Sequence, residues 1–420
     1  MCKYNKIINE LEILKYDLEE IILNILVIGN GFDLAHGLPT RYSNFLDFIT
    51  AFKYWYNSVY KKDITPLVVA NRKEFENKLK KISENGFINF NELTDLEKYV
   101  EEFYKLVNDN SWIEYFDKRL KENAAYGKEY NWVDIEEEIL KFIKLITEYQ
   151  KINPVFDDIT FYRSYYKNEH FCLNDIEKVL MTALYNRNIG ADRQERNSEL
   201  WKKFKIKLIE HLNNVIRAFE IYLTIFLRKN LHKLTQIEQI KLDRVISFNY
   251  TDTYRIYDDK VKCEFIHGYA DAYRSKKQCN MVLGIDEFLS DSDKNIELDF
   301  VEYRKYFQRI IKRTDIEYKR ELEKNILRKD KIVTYFFGHS MSVTDKEVLE
   351  YLLPINKNDV TKSIICYYSE DTFKSQIINL IKILGQDKLQ ELMSGNDPAI
   401  ELINQNDLLN VYNRINSSII

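Results

Sequence analysis

Hydrophobic positions form short continuous runs near the N-terminus and in the second half of the chain. The first run, Ile25 to Ile28, is apolar and partly β-branched, and it leads into the turn Gly29-Asn30-Gly31. Phe32 and Leu34 then follow a helical spacing. This pattern predicts a buried parallel strand, a tight glycine turn and a helix whose N-terminus faces open space. Backbone N–H groups at such a helix start favour an anionic ligand, usually a phosphate.

Helical periodicity dominates the middle of the chain, from about Leu46 to Lys241. One stripe with i, i+3/i+4 spacing runs for about six turns. Its members are Phe204, Leu208, Leu212, Val215, Phe219, Tyr222 and Phe226. The pattern predicts an all-helical insertion over residues 46–241, and residues 1–20 read as an additional amphipathic helix.

Apolar runs of strand length return only after this helical block. They are Arg244 to Phe248, Glu264 to Ile266, Met281 to Leu283, Ile332 to Phe337 and Ser363 to Tyr368. We therefore predict an α/β fold with a Rossmann-like parallel sheet, formed by residues 1–45 and 242–370 around the insertion. Residues 303–331 read as helical, and residues 371–420 as C-terminal helices through Phe373 to Leu384 and Leu402 to Tyr412.

Composition favours a soluble globular protein. The chain has 420 residues, of which 45% are hydrophobic, and this is enough for two or three domains with real cores. A net charge of −4 argues against wholesale attraction to nucleic acid or membrane. There is no uncharged apolar stretch of about 18 residues and no signal-peptide core, so we expect a cytoplasmic protein without a membrane partner.

The five cysteines are scattered and form no Cys-x-x-Cys pair. This spacing provides neither a disulfide framework nor a zinc knuckle. We therefore expect free thiols and no bound metal.

Polar residues follow the predicted strands where each strand ends. Asn249 and Asp252 follow one strand, His267 follows another, and Gly338-His339-Ser340 leads from a third to Asp345. In an open α/β sheet the carboxyl ends of the strands form one crevice, so these motifs are predicted to converge with the Gly29 loop.

The motifs resemble those of sirtuins. The first stretch is similar to the sirtuin loop Gly-Ala-Gly-x-Ser-x-x-x-Gly-Ile-Pro, with matches at Gly29, Gly31, Gly37 and Pro39. Asn249 matches the asparagine of Thr-Gln-Asn-Ile-Asp, His267-Gly268 the His-Gly pair, and Gly338 to Met341 the segment Gly-Thr-Ser-Leu. The four-cysteine zinc module of deacylase sirtuins has no counterpart, so the resemblance implies a sirtuin-like core without peptide deacylation.

A second resemblance is closer. The stretch Ile-Gly-Asn-Gly-Phe-Asp-Leu-Ala-His-Gly-Leu-Pro-Thr, Trp132-x-Asp134-x-Glu136, Ser-Phe-Asn-Tyr-Thr-Asp and Gly-His-Ser resemble the AbiH family of bacterial abortive-infection (anti-phage) proteins. Together the two resemblances imply an anti-phage effector with NAD as its substrate, hydrolysed to nicotinamide and ADP-ribose. They also imply a phage-derived trigger or partner protein and a homo-oligomer.

The side chains of the motifs suit that reaction. Asn249 can position a water through its amide, His267 can accept a proton with a pKa of about 6.5, and Asp252 can hold the carboxamide or support a ribosyl cation. The remaining predicted ligand contacts are Gly29, Asn30, Gly31, Phe32, Asp33, Gly338, His339, Ser340 and Asp345. Each polar residue also has a purely structural interpretation, with Asn249 capping its turn and both histidines satisfied in the core.

Two other functions stay open at this point. Asp134 and Glu138 fall on one helical face, as the paired carboxylates of a metal-dependent nuclease would. This segment has two other interpretations. Its carboxylates form an acidic helix face exposed to solvent, or Trp132 and Glu136 contact the site. The other alternative function is that of a non-enzymatic sensor, which binds NAD, ADP-ribose or another nucleotide.

Basic residues cluster between Arg304 and Lys329, interleaved with acidic ones. A nucleic-acid contact is possible there, but an ordinary charged helix surface is favoured.

Overall fold

The computed structural model describes residues 22–61, 96–125, 135–152, 196–227, 231–285, 298–314, 317–327, 330–357 and 359–417. The helix predicted for residues 1–20 lies outside these ranges. None of the helices within them combines the length and apolar character that a membrane crossing requires.

Six parallel strands form one sheet in the order β3-β2-β1-β4-β5-β6. The strands are β1 (Ile22–Ile28), β2 (Arg244–Ser247), β3 (Lys262–Phe265), β4 (Lys331–Phe337), β5 (Thr361–Tyr367) and β6 (Ile400–Asn404). The predicted α/β fold with a Rossmann-like parallel sheet is confirmed. Strand order reverses beside β1, because the chain adds β2 and β3 on one side and β4 to β6 on the other.

Strand β1 lies at the centre of the sheet. Ile25 is opposite Arg244 of β2 on one side and Thr334 of β4 on the other. Ile25 and Val27 pack into the core on one face of the sheet, and Leu26 and Ile28 pack into the core on the opposite face. Burial on both faces explains why this strand is a continuous apolar run rather than an alternating one.

Thirteen α-helices surround the sheet in the described ranges. They are α1 (Asn30–Ala35), α2 (Tyr42–Trp55), α3 (Glu97–Val107), α4 (Ser111–Ala125), α5 (Ile135–Ile152), α6 (Arg196–Ile221), α7 (Thr235–Glu238), α8 (Lys305–Lys312), α9 (Glu317–Leu327), α10 (Lys346–Leu352), α11 (Glu370–Leu384), α12 (Gln386–Met393) and α13 (Leu408–Ser417). The π-helical turns Tyr56–Tyr60 and Tyr222–Phe226 extend α2 and α6.

The helical block between β1 and β2 has its own core. The predicted stripe along α6 is buried from Leu208 to Phe226, while the side chain of Phe204 lies outside the described set. These residues pack with Phe45, Phe48 and Trp112 in one aromatic-rich cluster.

Met281 to Leu283 was predicted as a strand, and the structure corrects this. The segment is buried but belongs to no strand ladder: the N–H of Val282 donates to His267 O at 2.7 Å, and side chains satisfy other backbone groups. Gln308 binds both the N–H and the carbonyl of Leu283, and Tyr250 Oη donates to the carbonyl of Val282. The apolar residues of this segment therefore indicate burial and not strand pairing.

Two helix predictions are also corrected. The predicted helix from Leu402 begins only at Leu408, because residues Ile400–Asn404 pair with β5 as the edge strand β6. The helical stretch predicted for residues 303–331 is interrupted, since Arg313 adopts a left-handed conformation (φ 53°) and ends α8. Helix α11 confirms the helix predicted through Phe373 to Leu384.

Candidate functional site

A cavity of about 790 Å³ lies at the carboxyl edge of the sheet. Helices α5 and α11 contribute to its walls, through Leu140 and Lys144 from α5 and Ser375 and Lys382 from α11. Ten residues predicted for the site line it: Gly29, Asn30, Gly31, Asp33, Asn249, His267, Gly338, His339, Ser340 and Asp345. The size falls within the range of small-molecule sites in proteins.

Two glycine loops meet at the base of the cavity. A Cβ on Gly31 would come within 2.7 Å of Gly338 Cα, and a Cβ on Gly338 would come within 2.2 Å of Phe32 N. Gly338 also has a φ of 68°. Glycine is therefore required at Gly31 and Gly338 for the close approach of the loops after β1 and β4.

The expected anion cradle at the start of α1 is largely occupied by the protein itself. The N–H of Gly31 donates to Gly338 O at 2.8 Å, and the N–H of Phe32 donates to Gly29 O at 2.8 Å. Phe32 is fully buried against His36 and Phe337 and is not among the described residues that line the cavity. The glycines serve loop packing, and two of the first helical N–H groups already have acceptors.

Asn249 connects two of the predicted motifs. Its Nδ2 donates to Gly29 O at 3.0 Å, and its own backbone N–H donates to Ser247 Oγ at 3.1 Å. Ser247 thus supports the turn after β2, while the side chain of Asn249 reaches across to the β1–α1 loop.

Asp33 is a buried carboxyl group on the cavity wall. Its Oδ2 accepts a hydrogen bond of 2.6 Å from Thr251 Oγ1, which lies 3.2 Å from Thr253 Oγ1. Its Oδ1 has no hydrogen-bond partner among the residues that the structure describes. Burial raises the pKa of Asp33 to about 6, against the opposing effect of the Thr251 hydroxyl.

Asp33 makes a testable contribution to the pH dependence of stability. The folded protein holds this proton more tightly than the unfolded chain, so folding takes up a proton between pH 4 and pH 6. The free energy of unfolding therefore falls as the pH rises through this window, by up to about 3 kcal/mol. We expect Asp33→Asn to raise the urea midpoint at pH 8 and to leave it nearly unchanged at pH 4. The exposed residue Asp407, changed to Asn, is the control; equal responses of the two variants would contradict the assignment.

Two histidines converge on Asp345. His267 Nε2 lies 3.1 Å from Asp345 Oδ1, and His339 Nε2 lies 3.5 Å from Oδ2. His339 Nδ1 accepts the backbone N–H of Met341 at 3.0 Å, so the hydrogen-bond network assigns the proton of neutral His339 to Nε2, which faces Asp345. His267 Nδ1 has no partner among the described residues, but a carboxylate can only accept, so the neutral His267 ring donates its Nε2–H to Asp345.

Lys305 completes this cluster. It is 1% exposed, and its Nζ lies 2.7 Å from Glu136 Oε2 and 3.0 Å from Asp345 Oδ1. Burial alone would raise the pKa of Asp345, but the charge of Lys305 and the hydrogen bonds from the two histidines hold it well below its usual value. Asp345 is therefore ionised throughout the neutral range.

The His267 ring is less basic than the sequence predicts, because of its surroundings. Burial, assisted by the positive charge of Lys305, lowers the pKa of His267 to about 4 rather than leaving it near its ordinary value. The ring is therefore neutral at pH 7 and a weak proton acceptor.

The profile of one protein family, described as Bacteriophage abortive infection AbiH, matches residues 25–367. The match covers most of the chain. This chain belongs to the AbiH family. Membership points to a role in bacterial abortive infection against phages. No curated protein and no solved structure matches the chain.

The AbiH motif around Trp132 is only partly described. Trp132 and Asp134 lie outside the described residues, whereas Glu136 lines the cavity and binds Lys305. The predicted contact of Glu136 with the site is therefore observed, and the parts of the interpretations that involve Trp132 and Asp134 lie outside the described residues. Glu136 joins the helical block to the sheet edge.

Glu138 is engaged by side chains of this AbiH chain itself. It accepts hydrogen bonds from Tyr115 and Arg119 and forms an ion pair with Lys141, and it is buried. Within the described ranges, no group of three or more His, Cys, Asp or Glu side chains is arranged to hold a metal ion.

Asp252 is separated from the cluster. Its Oδ2 accepts a hydrogen bond of 3.2 Å from Tyr269 Oη, and it is not one of the described residues that line the cavity. We therefore leave it out of the site.

Sequence reasoning missed Lys305 as a site residue. Arg304, Lys305 and Arg309 belong to the basic stretch that was interpreted as a charged surface, and all three are buried. That interpretation is wrong for these residues. Residue spacing does not reveal such burial, because the partners of Lys305 come from other elements.

The cavity offers distinct chemistry at its deep and exposed parts. Asp33 Oδ1 and His267 Nδ1 are buried acceptors without a partner in the described structure, and each suits a hydrogen-bond donor, either a hydroxyl group of a ligand or a water. Lys144 and Lys382 are exposed and suit phosphates. This is the donor and acceptor pattern that a nucleotide with ribose and phosphate groups complements.

Proposed function

We propose that this AbiH protein is an anti-phage effector that hydrolyses NAD to nicotinamide and ADP-ribose. The observation that carries the proposal is the position of the cavity. It lies beside β1, where the strand order 3-2-1-4-5-6 reverses, and this is the place at which Rossmann sheets bind dinucleotides. Its buried acceptors and exposed lysines complement ribose and phosphate.

The reaction needs positioning more than covalent assistance, because nicotinamide leaves from a cationic ring. The bond between the ribose C1′ and the ring nitrogen breaks, and its electron pair returns to the nicotinamide ring. A water oxygen forms the new bond to C1′, and one water proton must be accepted. Asn249 is proposed to hold this water, and the ionised Asp345 to support the positive charge that develops on the ribose.

The first experiment is a product assay. Purified full-length protein is incubated with NAD, alone and with lysate from phage-infected cells, and the products are separated by chromatography. Nicotinamide and ADP-ribose in equal amounts are expected. If neither product forms under any of these conditions while NAD still binds, the protein is a nucleotide sensor and the hydrolase proposal is wrong.

Asn249→Ala is expected to reduce turnover by about 100-fold or more, because a water displaced by about 1 Å reacts poorly. Nicotinamide release is measured at saturating NAD, together with the thermal unfolding midpoint. Asn24→Ala is the matched control. Asn24 is a buried asparagine at the opposite end of the sheet, with its amide bonded to Asn416. Similar turnover in both variants would exclude the water-positioning role.

A further inference from the structure

We propose that Asp33 is the general base that accepts the proton from the attacking water, a catalytic role that rests on the proposed NAD hydrolysis. Asp33 lies on the cavity wall, in the first turn of α1.

One loop anchors both Asp33 and the residue proposed to hold the water. Asn249 bonds to Gly29, and Thr251, two residues further along, bonds to Asp33 Oδ2. The turn between β1 and α1 is therefore fixed at both ends by the segment after β2. This arrangement brings Asp33 and Asn249 to the same wall and holds them on a rigid support.

One carboxylate oxygen of Asp33, Oδ2, is hydrogen-bonded within the protein, and the other, Oδ1, is available to accept a hydrogen bond. Asp33 is 1% exposed, and its Oδ1 is buried with no partner in the described part of the chain. Buried polar atoms are rarely left unsatisfied unless a ligand, a water or catalysis requires them. A water held by Asn249 would satisfy Oδ1 by donating to it.

Asp345, Glu136 and His267 on the wall are already engaged by other protein groups, whereas Lys144 and Lys382 are exposed cations and cannot act as the base. Asp345 is bound by Lys305 and the two histidines, and Glu136 is bound by Lys305. Neutral His267 donates to Asp345, and burial followed by the charge of Lys305 lowers its pKa to about 4. Burial raises the pKa of Asp33 to about 6, so Asp33 is ionised at pH 7 and more basic than His267.

The proton balance of the step is complete. As the water oxygen bonds to C1′ and the bond from C1′ to the ring nitrogen breaks, one water proton moves to Asp33 Oδ1. The electron pair of the broken bond leaves with neutral nicotinamide. Asp33 later releases the proton to solvent, which restores the carboxylate.

The groups packed against Asp33 are uncharged, and burial lowers the pKa of His36, which caps the end of the same helix. Hydroxyls of Thr40, Thr251 and Thr253 and the amide of Asn249 surround it. The titratable and charged groups elsewhere on the cavity wall are Tyr42, Glu136, Glu137, Lys144, Tyr250, His267, Lys305, His339, Asp345 and Lys382. We expect kcat to rise with pH through a limb near pH 6, where Asp33 becomes ionised.

Asp33→Asn tests the role directly. The loss of a general base is expected to lower kcat by about 10²- to 10⁴-fold, with the dissociation constant for NAD largely unchanged. Single-turnover nicotinamide release gives the rate, calorimetry gives the affinity, and thermal unfolding at pH 8 verifies the fold.

A pair of Thr251 variants tests the assignment of the pH limb to Asp33. Thr251→Val removes the hydroxyl that stabilises the carboxylate, so the limb is expected to move to higher pH. Thr251→Ser keeps the hydroxyl, and its limb is expected to stay in place. An unmoved limb in Thr251→Val overturns the assignment.

The failures of the two proposals are distinguishable. If the wild type releases nicotinamide and Asp33→Asn does so at the same rate, Asp33 is not the base and NAD hydrolysis stands. If Asp33→Asn keeps kcat and only weakens NAD binding, Asp33 contacts the ribose and the base assignment is wrong. If the wild type releases none, both proposals fail.

Discussion

Replacing Lys305 with methionine is expected to lower the free energy of unfolding by about 3–5 kcal/mol. The variant would leave the carboxylates of Glu136 and Asp345 buried without the cation between them. The side chains of these two residues are each 11% exposed and that of Lys305 is 2% exposed, so water replaces little of the lost interaction.

Urea denaturation at pH 7 measures this effect. Lys319→Met is the matched control, because Lys319 pairs with Glu347 at 2.8 Å where both side chains are more exposed. A surface pair of this kind contributes at most about 1 kcal/mol. Adding Glu136→Gln to Lys305→Met is expected to restore part of the loss, since one unpaired charge is removed. Equal destabilisation by Lys305→Met and Lys319→Met would show that the buried cluster does not stabilise the fold.

Gly338→Ala is expected to destabilise the protein by about 2–5 kcal/mol, from overpacking and backbone strain together. The new Cβ would lie 2.2 Å from Phe32 N and 2.4 Å from Gly31 C, so backbone rather than a flexible side chain must move. The displaced loop carries His339, and the cluster around Asp345 would be disturbed with it.

Gly37→Ala separates the two contributions. Gly37 has a φ of 85°, and a Cβ there would meet nothing within 4 Å. Gly37→Ala is therefore expected to lower the free energy of unfolding only by the strain of a positive φ, about 1–2 kcal/mol. Thermal and urea unfolding of both variants provide the comparison, and a loss in Gly338→Ala no larger than that in Gly37→Ala would contradict the close packing of the two loops.

The parallel sheet was predictable because its central strands are buried on both faces. Ile25 to Ile28 is a continuous apolar run, Ile332 to Phe337 is apolar or aromatic except at Thr334, and each is followed by glycine, as is typical of such strands. The same criterion failed at Met281 to Leu283, where burial occurs without strand pairing. It also failed at Ile400–Asn404, where helical residues follow a short edge strand and obscure it.

The site was predictable where polar residues follow strands, because topology alone brings those positions to one edge. That rule placed Asn249, His267 and Asp345 on the cavity. It could not reveal Lys305, whose burial depends on Glu136 from the helical block, or the basicity of His267, which depends on how deeply the ring is enclosed. Such properties arise from tertiary contacts and leave no local pattern.

The central position of β1 has a consequence for protein synthesis. Its neighbours in the sheet are made long after it, and the backbone N–H of Asn24 donates to an Asp243 carboxylate 219 residues away. At ordinary rates of translation this separation corresponds to about 10–40 s. During that time β1 has neither partner strand, and the loop that carries His339 and the residue Asp345 emerge later still. We therefore expect a nascent chain to remain inactive on the ribosome until almost the whole protein has been made.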